Sequence, residues 1–355
     1  MKSVTTEMRK IVIITILFLI VIGSHAQSKK QILDFKFERV TLNGVLNLPK
    51  DQKPKGIVLI IHGSGKTNAV AQEWYLDVRE TIVKTGYATY MWDKMGCGKS
   101  GGNFNYNQSV YNSASEAIAA INMLKEKNIL KSNNIGLYGV SRAGWINPII
   151  INEYKDIAFW ISVSGVDDKE NFGYLLEENL RIEGLSKDSI ALIVDQWLKG
   201  IKIAHSGESF ETYMNATKEL QNNAFWLRFV QENMGGMSKE TYIGFQVPLM
   251  KEILDKETGL PVYIEDFDEV LSNVKTPVLA LFGETDMNVD WKKTKLLYKK
   301  TMGKNTDLII KSFPNCNHNI HECRTGGFYE FRDDKLPYKR CDGFLDTIED
   351  WLHKR

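Results

Sequence analysis

Neither sign of charge is in excess in this chain. Its 45 Lys and Arg residues stand against 44 Asp and Glu, a formal net charge of +1. Such a balance supplies no electrostatic footprint for nucleic acid or an acidic membrane surface. Internal repeats and low-complexity tracts are absent, so no repeat architecture is indicated. The apolar run Ile11 to Ile22 is too short for a membrane span, with about a dozen residues where roughly 20 are needed. Arg9-Lys10 precede it and Ser24-His25-Ala26 follow with the small-x-small look of a signal-peptidase site. Residues 1–26 are therefore expected to be a secretory signal cleaved after Ala26, the alternative being an uncleaved anchor. No cysteine ends the run, which argues against a lipoprotein. The expected product is exported, periplasmic or secreted, with no stable membrane anchor after cleavage.

Cysteine and histidine are scarce as well. The four cysteines, Cys97, Cys316, Cys323 and Cys341, would enter an oxidising compartment, where a disulfide is possible. Cys316–Cys323 and Cys323–Cys341 are both plausible pairs, and spacing does not choose between them. Together with His318 and His321 these cysteines invite a zinc reading. The Cys-x-His-x-x-His-x-Cys spacing is too compact to wrap one tetrahedral ion easily, so no metal is expected.

What the chain does contain is an alternation of strands and helices. Phe35 to Leu42 and Val45 to Leu48 read as strands joined by a hairpin turn at Asn43-Gly44. Gly56 to Ile61, Tyr87 to Trp92, Asn134 to Tyr138, Ala158 to Ser164, Pro277 to Phe282 and Leu308 to Phe313 are apolar, β-branched runs. Helical spacing fills Val70 to Thr85, Ser113 to Lys127, Trp145 to Tyr154 and Trp291 to Thr301. Such alternation requires crossover connections and a mostly parallel sheet, placing the fold in the α/β class. Between about Asp167 and Ser272 the rhythm stops. Leu175 to Ile182, Lys187 to Ile203, Ser209 to Met234 and Gly244 to Leu254 read there as helices. That interval is too long for a loop and predicts a helical cap over 167–272, inserted between core segments 27–166 and 273–355.

Gly139-Val140-Ser141-Arg142-Ala143-Gly144 carries the strongest chemical signal. A serine held between a strand and a helix by small residues is a nucleophile elbow. The turn is tight enough that positions two before and two after the serine must be small, and Gly139 and Ala143 are. Acyl transfer through serine also needs a base, an acid to orient it, and donors for the oxyanion. The strand Ile57 to Ile61 ends in His62-Gly63-Ser64-Gly65, which places the Ser64 N–H beside the elbow. Together with the Arg142 N–H, at a helix N-terminus, it forms the expected oxyanion pair. Asp286 follows a strand end and is the expected acid, with Glu284 as substitute. Of the six histidines, His318 follows the last strand and is the expected base, with His321 as fallback. The order Ser141, Asp286, His318 is the one this architecture requires.

Other features read more plainly. Gly63-Ser64-Gly65-Lys66-Thr67 and Gly98-Lys99-Ser100 are not phosphate loops, because Ile60 and Asp93 occupy the positions of the required first glycine. Asp93 is expected to stabilise a turn, and Cys97 has no base to activate it. Of Trp197, Phe225, Trp226, Phe229 and Tyr242, one or two are expected to face substrate, and the rest to form cap core.

On these residues the chain resembles the α/β-hydrolase esterases grouped with serine aminopeptidase-like and prolyl-oligopeptidase-like domains, in particular bacterial exported esterases with a helical cap. The resemblance rests on Leu42 to Pro49, His62 to Gly65, Trp92 to Gly101, the elbow, and the acid and base loops. Met95 stands where those relatives usually have arginine. The resemblance implies an α/β-hydrolase fold with an eight-stranded sheet, and hydrolysis of esters, sometimes amides or thioesters, without cofactor. The expected function is a serine carboxylesterase acting on a small-molecule ester. A peptidase of short acyl- or aminoacyl-peptides and a non-catalytic binding protein on the same fold are the alternatives.

Overall fold

The computed structural model describes residues 28–129, 131–304 and 306–355. The expected signal segment and its cleavage site lie outside these residues. In chain order the first elements are β1 (Ser28–Ile32), β2 (Phe35–Phe37), β3 (Val40–Leu42), β4 (Gly44–Pro49), β5 (Ile57–Ile61), α1 (Leu76–Lys84), β6 (Ala88–Trp92) and α2 (Val110–Glu126). They continue with β7 (Ile135–Val140), α3 (Ala143–Glu153) and β8 (Ile157–Val163). Six helices then run in succession: α4 (Gly173–Ile182), α5 (Lys187–His205), α6 (Phe210–Ala216), α7 (Lys218–Asn222), α8 (Ala224–Met234) and α9 (Lys239–Leu249). The short strands β9 (Ile253–Leu254) and β10 (Pro261–Val262) precede α10 (Phe267–Ser272). The chain closes with β11 (Val278–Gly283), α11 (Trp291–Thr301), β12 (Leu308–Phe313), α12 (Glu330–Asp333) and α13 (Phe344–Leu352).

Eight strands form one sheet in the order β1-β4-β6-β5-β7-β8-β11-β12. From β6 to β12 every neighbouring pair is parallel, while β4 runs antiparallel to both β1 and β6. This is the α/β-hydrolase fold. Strand β5 shows why the sheet is buried on both faces. Ile57, Leu59 and Ile61 join one apolar layer with Ala114, Ala117 and Ile149, while Val58 and Ile60 join the other with Val78, Ile82 and Trp351. The two-residue side-chain period of a strand sends alternate residues into opposite layers. The chain leaves β5 for β6 on one side and returns to β7 on the other, which opens a crevice beyond the C-terminal ends of β5 and β7.

Residues 173–249 carry their own apolar cluster, which includes Leu176, Leu180, Trp197, Phe225 and Phe229. It stands over that crevice. The Tyr174 hydroxyl donates to the Asp286 carbonyl at 3.1 Å, and Asn179 Nδ2 donates to the Met287 carbonyl at 3.1 Å.

Three expectations need correction. No hairpin turns at Asn43-Gly44. The hairpin joins β2 to β3, with Glu38 at φ 52° between them, and Asn43 leads directly into the main sheet. Gly44 is small because Tyr90 crowds it: a Cβ there would lie 2.1 Å from the Tyr90 hydroxyl oxygen. The stretch Ser209 to Met234 is three helices rather than one, broken at Thr217 and at Asn223, whose side chain accepts from Trp226 N and starts α8. The last cap helix begins at Lys239 rather than Gly244, because the Ser238 side chain caps it by accepting from Thr241 N.

Candidate active site

Strand β7 delivers Ser141 to the crevice in a left-handed backbone conformation, φ 58°. A non-glycine residue there costs of order 1–3 kcal/mol and persists only when its surroundings fix it. They do: Ser141 N donates to the Val163 carbonyl at 3.0 Å, and Gly144 N donates to the Ser141 carbonyl at 2.7 Å. The need for small flanking residues is visible as well. A Cβ on Gly139 would sit 2.6 Å from the Ala143 methyl and 2.5 Å from Asn147 Nδ2.

The expected acid and base meet. His318 Nδ1 lies 2.8 Å from Asp286 Oδ2, with both residues buried. A carboxylate oxygen accepts, so the proton sits on Nδ1 and leaves Nε2 as an acceptor. The other oxygen, Oδ1, accepts from the Asn288 and Val289 N–H groups at 2.9 and 3.1 Å. The carboxylate is thus locked in place. The base loop is locked too. Asn317 Oδ1 accepts from Asn319 N and His321 N, both at 3.0 Å, and Thr285 N of the acid loop donates to the Cys316 carbonyl at 2.9 Å.

Neither fallback competes. Glu284 accepts from the Ser312 hydroxyl at 2.6 Å at an exposed position. His321 packs its ring against Phe331 and Tyr338, and burial, aided by the Arg340 charge, pushes it down to about 4.

Ser141 and His318 line the same cavity, of ≈ 540 Å³, together with Gly63, Ser64, Gly65 and Arg142. No Ser141–His318 hydrogen bond is present among the described residues. Such bonds are often long without substrate and tighten when it binds. The Ser64 and Arg142 N–H groups donate to no protein acceptor among the described residues, as oxyanion donors require. Much of the remaining wall is apolar, from Trp145, Phe229, Phe245, Leu249 and Val289. Of the five cap aromatics named from the sequence, only Phe229 faces this cavity. Trp197, Phe225 and Trp226 pack within the cap cluster, and Tyr242 packs on Tyr213.

Arg142 is more than a backbone donor. The residue lines the cavity, and its guanidinium donates to the Ser113 hydroxyl at 3.1 Å and to the Gln108 carbonyl and is pushed down to about 10 by burial. Opposing chemistry sits at Glu170 on the cap side. Its carboxyl is pushed up to about 8 by burial and, secondarily, by the charge of Asp167.

The cysteines depart from both expected pairs. Cys316 is bonded to Cys341, while Cys97 and Cys323 are free. Cys323 instead turns its thiol towards the Asn315 carbonyl, 3.4 Å away. The bond staples the base loop to the segment entering α13, and Cys341 N donates to the Ile320 carbonyl beside it. With Cys316 oxidised and His318 held by Asp286, the zinc alternative has no ligand set, and no cluster that could hold a metal occurs among the described residues. Asp93 stabilises its turn, as expected: Oδ1 accepts from Val70 N at 2.9 Å and Oδ2 from Lys99 N at 3.1 Å.

Residues 52–170 match the family model described as serine aminopeptidase, S33, and residues 265–347 match the dienelactone hydrolase family. Between them the matches cover the sheet strands from β5 to β8 and from β11 to β12, and leave out β1, β4 and most of the cap. No curated protein matches the chain. Among solved structures, the chain is similar to esterase Pf2001 of Pyrococcus furiosus, at 16% identity and TM-score 0.51 over 92% of this chain and 91% of that one. It is also similar to Est1E of Butyrivibrio proteoclasticus, solved with ferulic acid, at 18% identity and TM-score 0.51 over 91% and 96% of the two chains. A third similar structure is the α/β hydrolase GrgF from Penicillium sp. sh18, at 16% identity and TM-score 0.52 over 92% and 98%. At these identities the likeness establishes the fold.

Proposed function

We propose that this chain, which has the α/β-hydrolase fold and matches two hydrolase family models over residues 52–170 and 265–347, hydrolyses carboxylic esters through Ser141, His318 and Asp286. The observation that carries the reading is the 2.8 Å contact from His318 Nδ1 to the buried Asp286 Oδ2, with His318 lining the cavity that Ser141 also lines. In this mechanism His318 Nε2 takes the Ser141 proton as the oxygen attacks the ester carbonyl. The Ser64 and Arg142 N–H groups receive the oxyanion. The tetrahedral adduct collapses, the alcohol departs with the proton from His318, and an acyl group remains on Ser141. Water, deprotonated by the same histidine, then releases the acid. The apolar wall formed by Trp145, Phe229, Phe245 and Leu249 suits a hydrocarbon or aromatic acyl group.

Export belongs to the proposal, and a disulfide at Cys316–Cys341 suits an oxidising compartment. An exported protein beginning at Gln27 would support it. The match to a serine aminopeptidase model favours a second reading, cleavage of aminoacyl-peptides. That match covers the oxyanion loop and elbow, which amide and ester chemistry share. Turnover of p-nitrophenyl esters against aminoacyl-p-nitroanilides separates the two readings. Ser141→Ala tests both: turnover should fall on the order of 10⁶-fold, and normal ester hydrolysis by that variant would end the proposal.

A further inference from the structure

Lys94 stands behind the oxyanion loop, in a block whose motif the chemistry above does not use. Its ammonium donates to the Gly63 carbonyl and to the Gly65 carbonyl, each at 2.6 Å. No carboxylate forms an ion pair with it among the described residues. Burial, with the neighbouring Arg142 charge, lowers its pKa to about 7, while Glu116 and Cys97 act in the opposite sense. An ammonium is costly to hold there, and two backbone carbonyls are what it holds.

The peptide unit explains what those bonds do. The Gly63 carbonyl and the Ser64 N–H belong to one planar peptide group, and no cis bond occurs among the described residues. In a trans peptide the C=O and N–H point in opposite directions. A carbonyl drawn towards Lys94 therefore turns the Ser64 N–H the other way, and Gly63, Ser64 and Gly65 all line the cavity. The Gly65 carbonyl fixes the next peptide but one in the same manner. Accepting a bond from a cation also polarises the peptide and strengthens its N–H as a donor. Gly65, at φ 79°, gives the loop no rigidity of its own.

We propose that Lys94 is a positioning residue that clamps the Gly63–Gly65 loop and aims the Ser64 N–H at the developing oxyanion. The proposal rests on the serine-hydrolase reading of the site. Its signature is a loss confined to the transition state, because a misaimed oxyanion donor affects the tetrahedral species and not substrate docking.

The experiment compares wild type, Lys94→Met and Lys94→Arg on a p-nitrophenyl ester, and measures their inhibition by a trifluoromethyl ketone, which forms a tetrahedral oxyanion on serine. Removing one oxyanion donor outright costs about 10²–10³-fold in kcat. Misaiming one should cost less, roughly 10–100-fold, with KM within twofold and ketone affinity weakened by a similar factor. Lys94→Arg keeps donors on the same two carbonyls and should recover most of the loss. It also serves as the readout should Lys94→Met fail to fold. Unchanged kcat in a folded Lys94→Met, a loss appearing in KM alone, or ketone affinity unaffected while kcat falls would each overturn the clamp. Ser141→Ala run alongside separates the two levels. If that variant is inactive and Lys94→Met is normal, the clamp fails alone. If Ser141→Ala is active, the serine reading fails first.

Discussion

Replacing Asp286 by asparagine is the most informative single perturbation, because the surroundings dictate how the amide must sit. Asp286 Oδ1 accepts two backbone N–H groups, from Asn288 and Val289, and Oδ2 faces His318 Nδ1. The asparagine oxygen has to take the first position. Turned the other way, its NH₂ would confront those two donors and leave both unpaired, costing about 1–3 kcal/mol each. The amide NH₂ therefore points at Nδ1, which becomes an acceptor, and the imidazole proton moves to Nε2. A protonated Nε2 cannot receive the Ser141 proton. In serine proteases the same wrong-tautomer exchange lowers kcat about 10⁴-fold, equivalent to ~5.4 kcal/mol of barrier. Asp286→Asn should show a loss of that order in kcat for a short p-nitrophenyl ester. KM should stay within a few-fold and the unfolding midpoint should change little, since the shape and all three hydrogen bonds survive, the one to His318 with donor and acceptor exchanged. A kcat within tenfold of wild type would refute the assigned role of Asp286.

Three further outcomes follow from particular contacts. His321→Phe should leave kcat within about threefold, because that ring packs on Phe331 and Tyr338 rather than on the triad, whereas His318→Gln should abolish turnover; steady-state kinetics on both checks the choice of base. Cys341→Ser should lower unfolding free energy by about 3–4 kcal/mol on the chain-entropy estimate for a loop with a sequence separation of 25; denaturant titration measures it. Burial and, secondarily, the charge of Asp167 push the folded Glu170 carboxyl up to about 8, above its ordinary value of 4.5. The native state therefore holds a proton that the unfolded chain releases, and stability falls as pH rises from about 4.5 to 8. Glu170→Gln should remove that slope and gain at least ~1 kcal/mol at pH 8 but little at pH 4, in denaturant titrations at the two pH values.

Much of the site was legible because its chemistry is tied to strand ends. Ser141 needs small neighbours at fixed offsets, and Asp286 and His318 each follow an apolar β-run, so order and placement could be read without coordinates. Leu308–Phe313 and Trp291–Thr301 were equally plain, since local pattern and tertiary role agree there. Edge strand β1 was not legible. Its residues are mostly exposed and polar, and it is held by backbone pairing with β4 and by polar side-chain contacts such as Lys30 to Glu73, rather than by apolar burial. The cap helices between Ser209 and Met234 ran together because apolar spacing continues across Asn223, although an asparagine before Ala224 is itself a capping signal. The Cys316–Cys341 pairing and the Lys94 clamp depend on which loops meet across the sheet edge, and no local spacing carries that information.

The most direct measurement is mass spectrometry of the protein rapidly quenched with excess p-nitrophenyl ester, followed by peptide mapping. An acyl adduct on the peptide containing Ser141, formed before steady state and absent from Ser141→Ala, is the expected result. Full ester turnover with no adduct at Ser141, or an adduct on another residue that turns over at the catalytic rate, would contradict the account.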